Sequence, residues 1–225
     1  MKQLEQKNHY VLKIIHDLKV PTLAQIGALE SFIKTSCNKL SEEENNLILL
    51  TLNSCAHMEN LIEIYSTLEQ LNQNSAQLTY EKFNISKIIE KLLLKENILI
   101  NYKKIKIKTN FENNILLNAD KNLISKALIN IMSTCLNNTF RENELCITIN
   151  KNRDYLYFEI TYQGNPLDFE TIVKARKYNI NKRFEQPNYN IGLHLANKII
   201  LSHFGTMSVQ NTINNKSLIG FKIPI

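Results

Sequence analysis

The eight residues IIHDLKVP, Ile14 to Pro21, decide how the first third of the chain is read. Apolar residues at Leu4, Val11, Ile14, Leu18, Leu29 and Ile33 recur close to the three-and-four spacing of a helical stripe, which places the stretch inside a long helix. A proline inside a helix costs about 3 kcal/mol unless the kink is useful, so Pro21 singles this helix out. With Val11, Ile14 and Leu18 on the seam, His16 falls on the position farthest from a partner helix, and its imidazole is expected to face solvent. An exposed, unprotonated ring nitrogen is a nucleophile near neutral pH and can accept a phosphoryl group. Asp17 stands where it can orient the ring or take its proton, and Lys19 where it can offset phosphate charge.

Working outward, Ser41-Glu-Glu-Glu44 has the pattern of a capping box and predicts the start of a second helix. That helix continues through Leu47, Leu50, Ser54, His57, Leu61, Ile64, Leu68 and Leu71, a heptad-like seam, with a short turn near residues 38–40 joining it to the first. A lone hairpin of this length leaves its seam open, and pairing with a second copy into a four-helix bundle closes it, so a homodimer is expected. The polar stretch between Leu71 and Phe83 reads as a linker, 73–82. Beyond it the texture changes to a helix near 84–97, a strand near 105–111, a helix near 120–137, strands near 145–150 and 155–162, a helix near 190–203, and strands near 206–212 and 217–224. That order suits helices on one face of a mixed, mostly antiparallel sheet.

Composition narrows the classes. The net charge of +6 over 225 residues is unevenly spread. Residues 1–72 carry 6 Lys/Arg against 9 Asp/Glu, a balance of −3, while residues 73–225 carry 21 against 12, a balance of +9. A basic second part could attract an acidic surface or nucleic acid, but lysines such as Lys103, Lys104, Lys106 and Lys108 read better as a solvated strand face, so nucleic acid is not the expected partner. No run approaches the roughly 18 apolar residues a membrane helix needs, and MKQLEQKNHY lacks the apolar core of a secretion signal. A cytoplasmic protein with no membrane partner is the expectation. Cys37, Cys55, Cys135 and Cys146 are scattered without a CxxC pair, which speaks for reduced thiols and against a zinc or disulfide framework. No metal site is expected.

His16-Asp-Leu-Lys-Val-Pro21 on the first helix of a hairpin resembles the H-box of the histidine-kinase dimerisation and phosphotransfer domain. The second part resembles the GHKL ATP-binding domain of the same family: the lead-in Asp120-Lys-Asn-Leu123, the helix Ala127 to Asn137, and the ending IGLHLANKIILSHFGTMSV at 191–209. The resemblance spans nearly the whole chain. It implies an α+β protein with an N-terminal helical hairpin (1–72) forming a dimeric four-helix bundle, followed by a GHKL-type α/β sandwich with a mixed sheet (83–225). It also implies a response-regulator receiver domain as partner and His16 as the phosphoacceptor. Many members of the family carry Thr or Asn four residues after the histidine to position a water; Val20 cannot hydrogen-bond one, which implies weak phosphatase activity of that type.

The nucleotide motifs depart from the family pattern. The stretch matching the N-box keeps Asn130 but places Thr134 where a magnesium-binding Asn is expected. The first glycine box matches Tyr162-Gln-Gly164-Asn-Pro166, so only Gly164 remains, and a tyrosine stands where a carboxylate would accept from the adenine amino group. Tyr162 is bulky enough to fill that slot. The second box matches Asn188-Tyr-Asn190-Ile-Gly192-Leu, with Gly192 retained at a helix start where glycines let amides hold phosphate. The segment between the boxes, about 165–187, is short for an ATP lid. Asn130, Thr134, Gly164 and Gly192 therefore read as a vestigial nucleotide site. The expected function is histidine phosphotransfer in a two-component relay, a pseudokinase passing phosphate through His16 to or from response-regulator aspartates without a cofactor. An active soluble histidine kinase using ATP and magnesium is the alternative, and a non-catalytic dimeric scaffold that docks a regulator is the second.

Overall fold

The structure, a computed structural model, describes residues 2–36, 40–72, 77–112, 114–167, 191–212 and 214–225. Its contacts divide the chain into two units, Met1–Ala76 and Gln77–Ile225. In the first, helix α1 spans Lys2–Ser36 and α2 spans Glu42–Asn72. The capping box is present. The Glu44 amide donates to Ser41 Oγ at 3.2 Å, and the Ser41 amide donates to Glu44 Oε2 at 2.8 Å. Hydrogen bonding from Ser41, its backbone amide first and its side chain second, holds the Glu44 carboxyl below its ordinary value.

The two helices pack on each other, with Cys55 Sγ 3.9 Å from Gln25 Oε1. Only part of the α2 seam is covered: Ile64 and Leu68 are buried, whereas Leu47 and Leu50 are 64% and 63% exposed. Ile14, Leu18, Leu23 and Phe32 of α1 are exposed as well. The turn expected near 38–40 lies mostly outside the described residues.

In the second unit, β1 (Tyr80–Asn84) pairs antiparallel with β3 (Leu116–Asp120), and five further strands form a second sheet. The five are β2 (Lys106–Asn110), β4 (Glu144–Lys151), β5 (Tyr155–Gln163), β6 (Thr206–Asn211) and β7 (Lys216–Pro224). Their order is β2-β4-β5-β7-β6, with β2 and β4 parallel and every other pairing antiparallel. The sheet is mixed and mostly antiparallel, as the pattern of runs predicts. Alternation sets its buried face: Leu145, Ile147 and Ile149 on β4, Leu156, Phe158, Ile160 and Tyr162 on β5, and Ile219, Phe221 and Ile223 on β7. Each such aliphatic or aromatic side chain contributes about 1.5–3 kcal/mol when fully buried.

Helices α3 (Ile85–Lys95), α4 (Asn97–Lys103), α5 (Lys121–Asn138) and α6 (Ile191–Ser202) complete the unit. α5 and α6 pack against each other and against strands of the larger sheet. Two elements escaped the reading of the sequence. Strand β1 begins at Tyr80, inside the stretch whose polarity suggested a linker, and β3 was not expected at all. The helix near 84–97 also runs on, through a loose junction at Glu96, to Lys103. Among the described residues no helix is long and apolar enough to cross a membrane.

Candidate functional site

His16 lies within α1, five residues before Pro21. The orientation expected for its ring falls outside the described side chains. Around it, Asp17, Lys19 and Val20 are all exposed. Pro21 has no amide to offer the Asp17 carbonyl, and one residue on, the Thr22 hydroxyl donates to the Leu18 carbonyl at 2.8 Å. This surface of α1 therefore presents acidic, basic and apolar groups side by side to solvent.

The residues matched to nucleotide motifs sit in the second unit, and their polar groups are tied to the protein's own backbone. In α5 the Asn130 amide donates to the Lys126 carbonyl at 2.8 Å, and the buried Thr134 hydroxyl donates to the Asn130 carbonyl at 2.7 Å. One turn further, Asn138 Nδ2 donates to the Thr134 carbonyl at 2.9 Å. α5 is capped at its start by Asp120, whose Oδ1 accepts from the Leu123 amide at 3.0 Å.

Tyr162 is 1% exposed, between Leu145 of β4 and Ser217 of β7. Its phenol donates to the Asn165 carbonyl at 3.0 Å. Burial, with the neighbouring Cys135 thiol as a smaller contribution, pushes the phenol well above its ordinary value, and burial does the same to Cys135. Ser217, beside the phenol, donates to Asn211 Oδ1 at 2.8 Å. Asn211 in turn grips the backbone of Leu167: it accepts from the Leu167 amide at 3.2 Å and donates to the Leu167 carbonyl at 2.6 Å. Residues 162–167 are thus laced to the β6–β7 hairpin.

The same segment is held on its other side by the end of α5. The Asn165 amide donates to the Asn138 carbonyl at 3.0 Å, and Gly164 forms an antiparallel bridge with Thr139. A Cβ on Gly164 would lie 2.0 Å from the Asn138 carbonyl oxygen, so the backbone approach itself requires glycine here, whatever binds nearby. Gly192 is buried at the second position of α6. Asn188, Asn190 and most of the segment expected as a lid lie outside the described residues.

Two residues that the sequence reading passed over carry structural work in this unit. Lys103, read as part of a solvated strand face, instead closes α4 and donates through Nζ to three carbonyls at the end of α5: Leu136 at 3.1 Å, Asn137 at 2.6 Å and Thr139 at 3.0 Å. Desolvation lowers its pKa, and an ammonium at a helix C-terminus neutralises bare carbonyls. Lys106 and Lys108 do lie exposed on β2 as read, with Lys108 paired to Glu144 at 2.6 Å. His203 is the other. Its Nδ1 lies 2.8 Å from the Ile199 carbonyl and its Nε2 accepts from the Asp120 amide at 3.1 Å, which requires the Nδ1-protonated tautomer. Neither role has a local sequence signal, because the partners lie more than 30 residues away for Lys103 and 83 for the Asp120 bond.

Cys55, Cys135 and Cys146 carry free thiols, and among the described residues no group of three or more metal-ligating side chains gathers.

No protein-family model matches the chain. Its sequence relatives include the sensor protein VanSC of Enterococcus gallinarum, 21% identical over 215 residues, and the nisin biosynthesis sensor protein NisK of Lactococcus lactis subsp. lactis, 27% identical over 210 residues. These alignments cover 93% and 89% of this chain but 59% and 45% of the relatives, so the chain spans roughly half the length of the curated proteins it matches. Among solved structures, the Acinetobacter baumannii histidine kinase AdeS superposes with a TM-score of 0.63 at 19% identity, covering 90% of this chain and 94% of that one. ThkA in complex with the response regulator protein TrrA gives a TM-score of 0.58 at 19% identity, over 99% of this chain and 65% of that one. These relatives are sensor proteins by name, and the α+β fold with its mixed sheet is similar to that of the superposed histidine-kinase structures.

Proposed function

We propose that this chain works in two-component signalling as a histidine phosphotransfer protein, with α1 and α2 (1–72) as a dimerisation and phosphotransfer hairpin, 73–82 as linker, and 83–225 as a degenerate GHKL domain. Phosphate enters and leaves at His16, with Asp17 and Lys19 assisting, and the donor and acceptor are receiver-domain aspartates. The structure of ThkA with a response regulator supports a partner of that kind. The exposed Leu18, Leu47 and Leu50 support a homodimer, since a second copy would cover them.

One observation carries the pseudokinase part of the reading. Tyr162, at the position where the family's carboxylate would meet adenine, is buried and its phenol is spent on the Asn165 carbonyl. A site built on a polar contact loses several orders of magnitude in discrimination without it. Thr134, at the metal-binding position, gives its proton to a helix carbonyl. Tyr162 does not fit an adenine base, and Thr134 offers magnesium a hydroxyl oxygen where the family pattern has an Asn carbonyl. The names of the relatives favour the rival, an ATP-driven kinase, and the third possibility is a scaffold that carries no phosphate.

The test mixes the full chain with a receiver domain bearing labelled aspartyl phosphate. Acid-labile label is expected on the chain and absent from His16→Ala. Equal behaviour of the two proteins would favour the scaffold instead.

A further inference from the structure

Helices α3 and α4 break their own amphipathic rule. Helical hydrogen bonding runs through their junction, with the Glu96 amide bonded to the Leu92 carbonyl and the Ile100 amide to the Glu96 carbonyl, both at 3.0 Å. At 3.6 residues per turn, Lys87, Lys91, Leu94 and Lys95 share one sector of about 100° on α3, and Ile98 and Tyr102 lie one turn apart on α4, none of whose residues is buried. That sector is opposite the face carrying the buried Ile85 and Ile89. Three large apolar side chains consequently stand on the solvent side: Leu94 is 76% exposed, Ile98 85% and Tyr102 68%. Single exposed apolar residues need no explanation, but a contiguous row on the wrong face of a helix marks a contact surface.

The charge beside this row identifies the partner. Residues 85–110 hold seven lysines against two glutamates, a balance of +5. Lys104 and Lys108 are paired with Glu142 and Glu144, while among the described residues no carboxylate pairs with Lys87, Lys91, Lys95 or Lys106. Arg141 adds its charge 5.0 Å from the centre of the Tyr102 ring. The three apolar side chains stand in solvent, and α4 buries none of its residues. Protruding Leu, Ile and Tyr framed by long cationic stems is the pattern of a helix lying in an anionic lipid interface.

We infer that the α3–α4 ridge is a peripheral binding surface for anionic membrane lipid, with Leu94, Ile98 and Tyr102 entering the headgroup boundary and Lys87, Lys91, Lys95 and Arg141 meeting lipid phosphates. It departs from the sequence-level expectation of no membrane partner, which rested on spanning segments, and it is independent of the phosphotransfer reading.

The experiment is co-sedimentation of the full chain with vesicles of phosphatidylcholine alone or with one quarter phosphatidylglycerol, at physiological salt. The chain is expected to bind the anionic vesicles at least about tenfold more tightly than the neutral ones. The variant Leu94→Ser/Ile98→Ser/Tyr102→Ser and, separately, Lys87→Glu/Lys91→Glu/Lys95→Glu should each lose that binding while keeping the wild-type circular dichroism and melting curve. Binding unchanged in both variants, or no binding of the wild type to either vesicle, overturns the proposal. In that case an acidic protein surface becomes the better candidate partner for the ridge.

Discussion

Around His16, α1 leaves Asp17, Lys19 and Val20 exposed. Around Tyr162, the second unit does the reverse. The phenol, Ser217, Asn211 and the backbone of Gly164, Asn165 and Leu167 are bonded to one another and to the end of α5. Both regions match motifs of the family the chain resembles, the first its phosphotransfer box and the second the box that meets adenine. The difference teaches how the proposed reading divides its two parts: exposed groups flank His16 in one unit, and Tyr162 is tied to its own backbone in the other.

The comparison breaks first at Gly164. A Cβ there would meet the Asn138 oxygen at 2.0 Å and its carbon at 2.8 Å, and both atoms are backbone that cannot swing away. Gly164→Ala is expected to destabilise the second unit by about 2–3 kcal/mol, read by urea unfolding of the full chain. A loss below about 0.5 kcal/mol, the size of an ordinary surface change, would show that residues 162–167 are not pinned as described.

A smaller effect sharpens the buried side of the comparison. Tyr162→Phe removes the bond to the Asn165 carbonyl and should cost about 1 kcal/mol. Its pH dependence is more telling. The folded chain holds the Tyr162 proton above the ordinary range, whereas an unfolded tyrosine ionises near pH 10. Above that pH the unfolded state binds fewer protons than the folded one, so wild-type stability falls as pH rises. Tyr162→Phe should show a shallower decline, and identical slopes would place the phenol in contact with water.

Much of this was legible before the structure. The stripe through Ile14 and Leu18 and the capping box at Ser41 located the two long helices, and period-two runs such as Leu145-Cys-Ile-Thr-Ile149 located the strands. β1 and β3 were missed because each is short and buries little: in Tyr80–Asn84 only Phe83 is buried, and in Leu116–Asp120 only Leu117 and Ala119. Tyr162 could be recognised as a misfit at its position, but its partners could not be, since Ser217 reaches it only through strand register. Gly164 shows the limit most clearly. It looked like the remnant of a ligand-binding box, and the structure gives it a packing reason that involves no ligand. Lys103 looked like one lysine among four on a wet strand, and its role depends on carbonyls that only the tertiary fold brings near.

The central claim is that phosphate reaches His16 from a receiver domain and not from ATP. It is tested most directly by offering the same preparation labelled ATP or a labelled phospho-receiver and measuring acid-labile label on His16, with His16→Ala as the blank. Label from the receiver and none from ATP is the expected result. Label transferred from ATP alone, lost in His16→Ala, would contradict it and make the chain an active kinase.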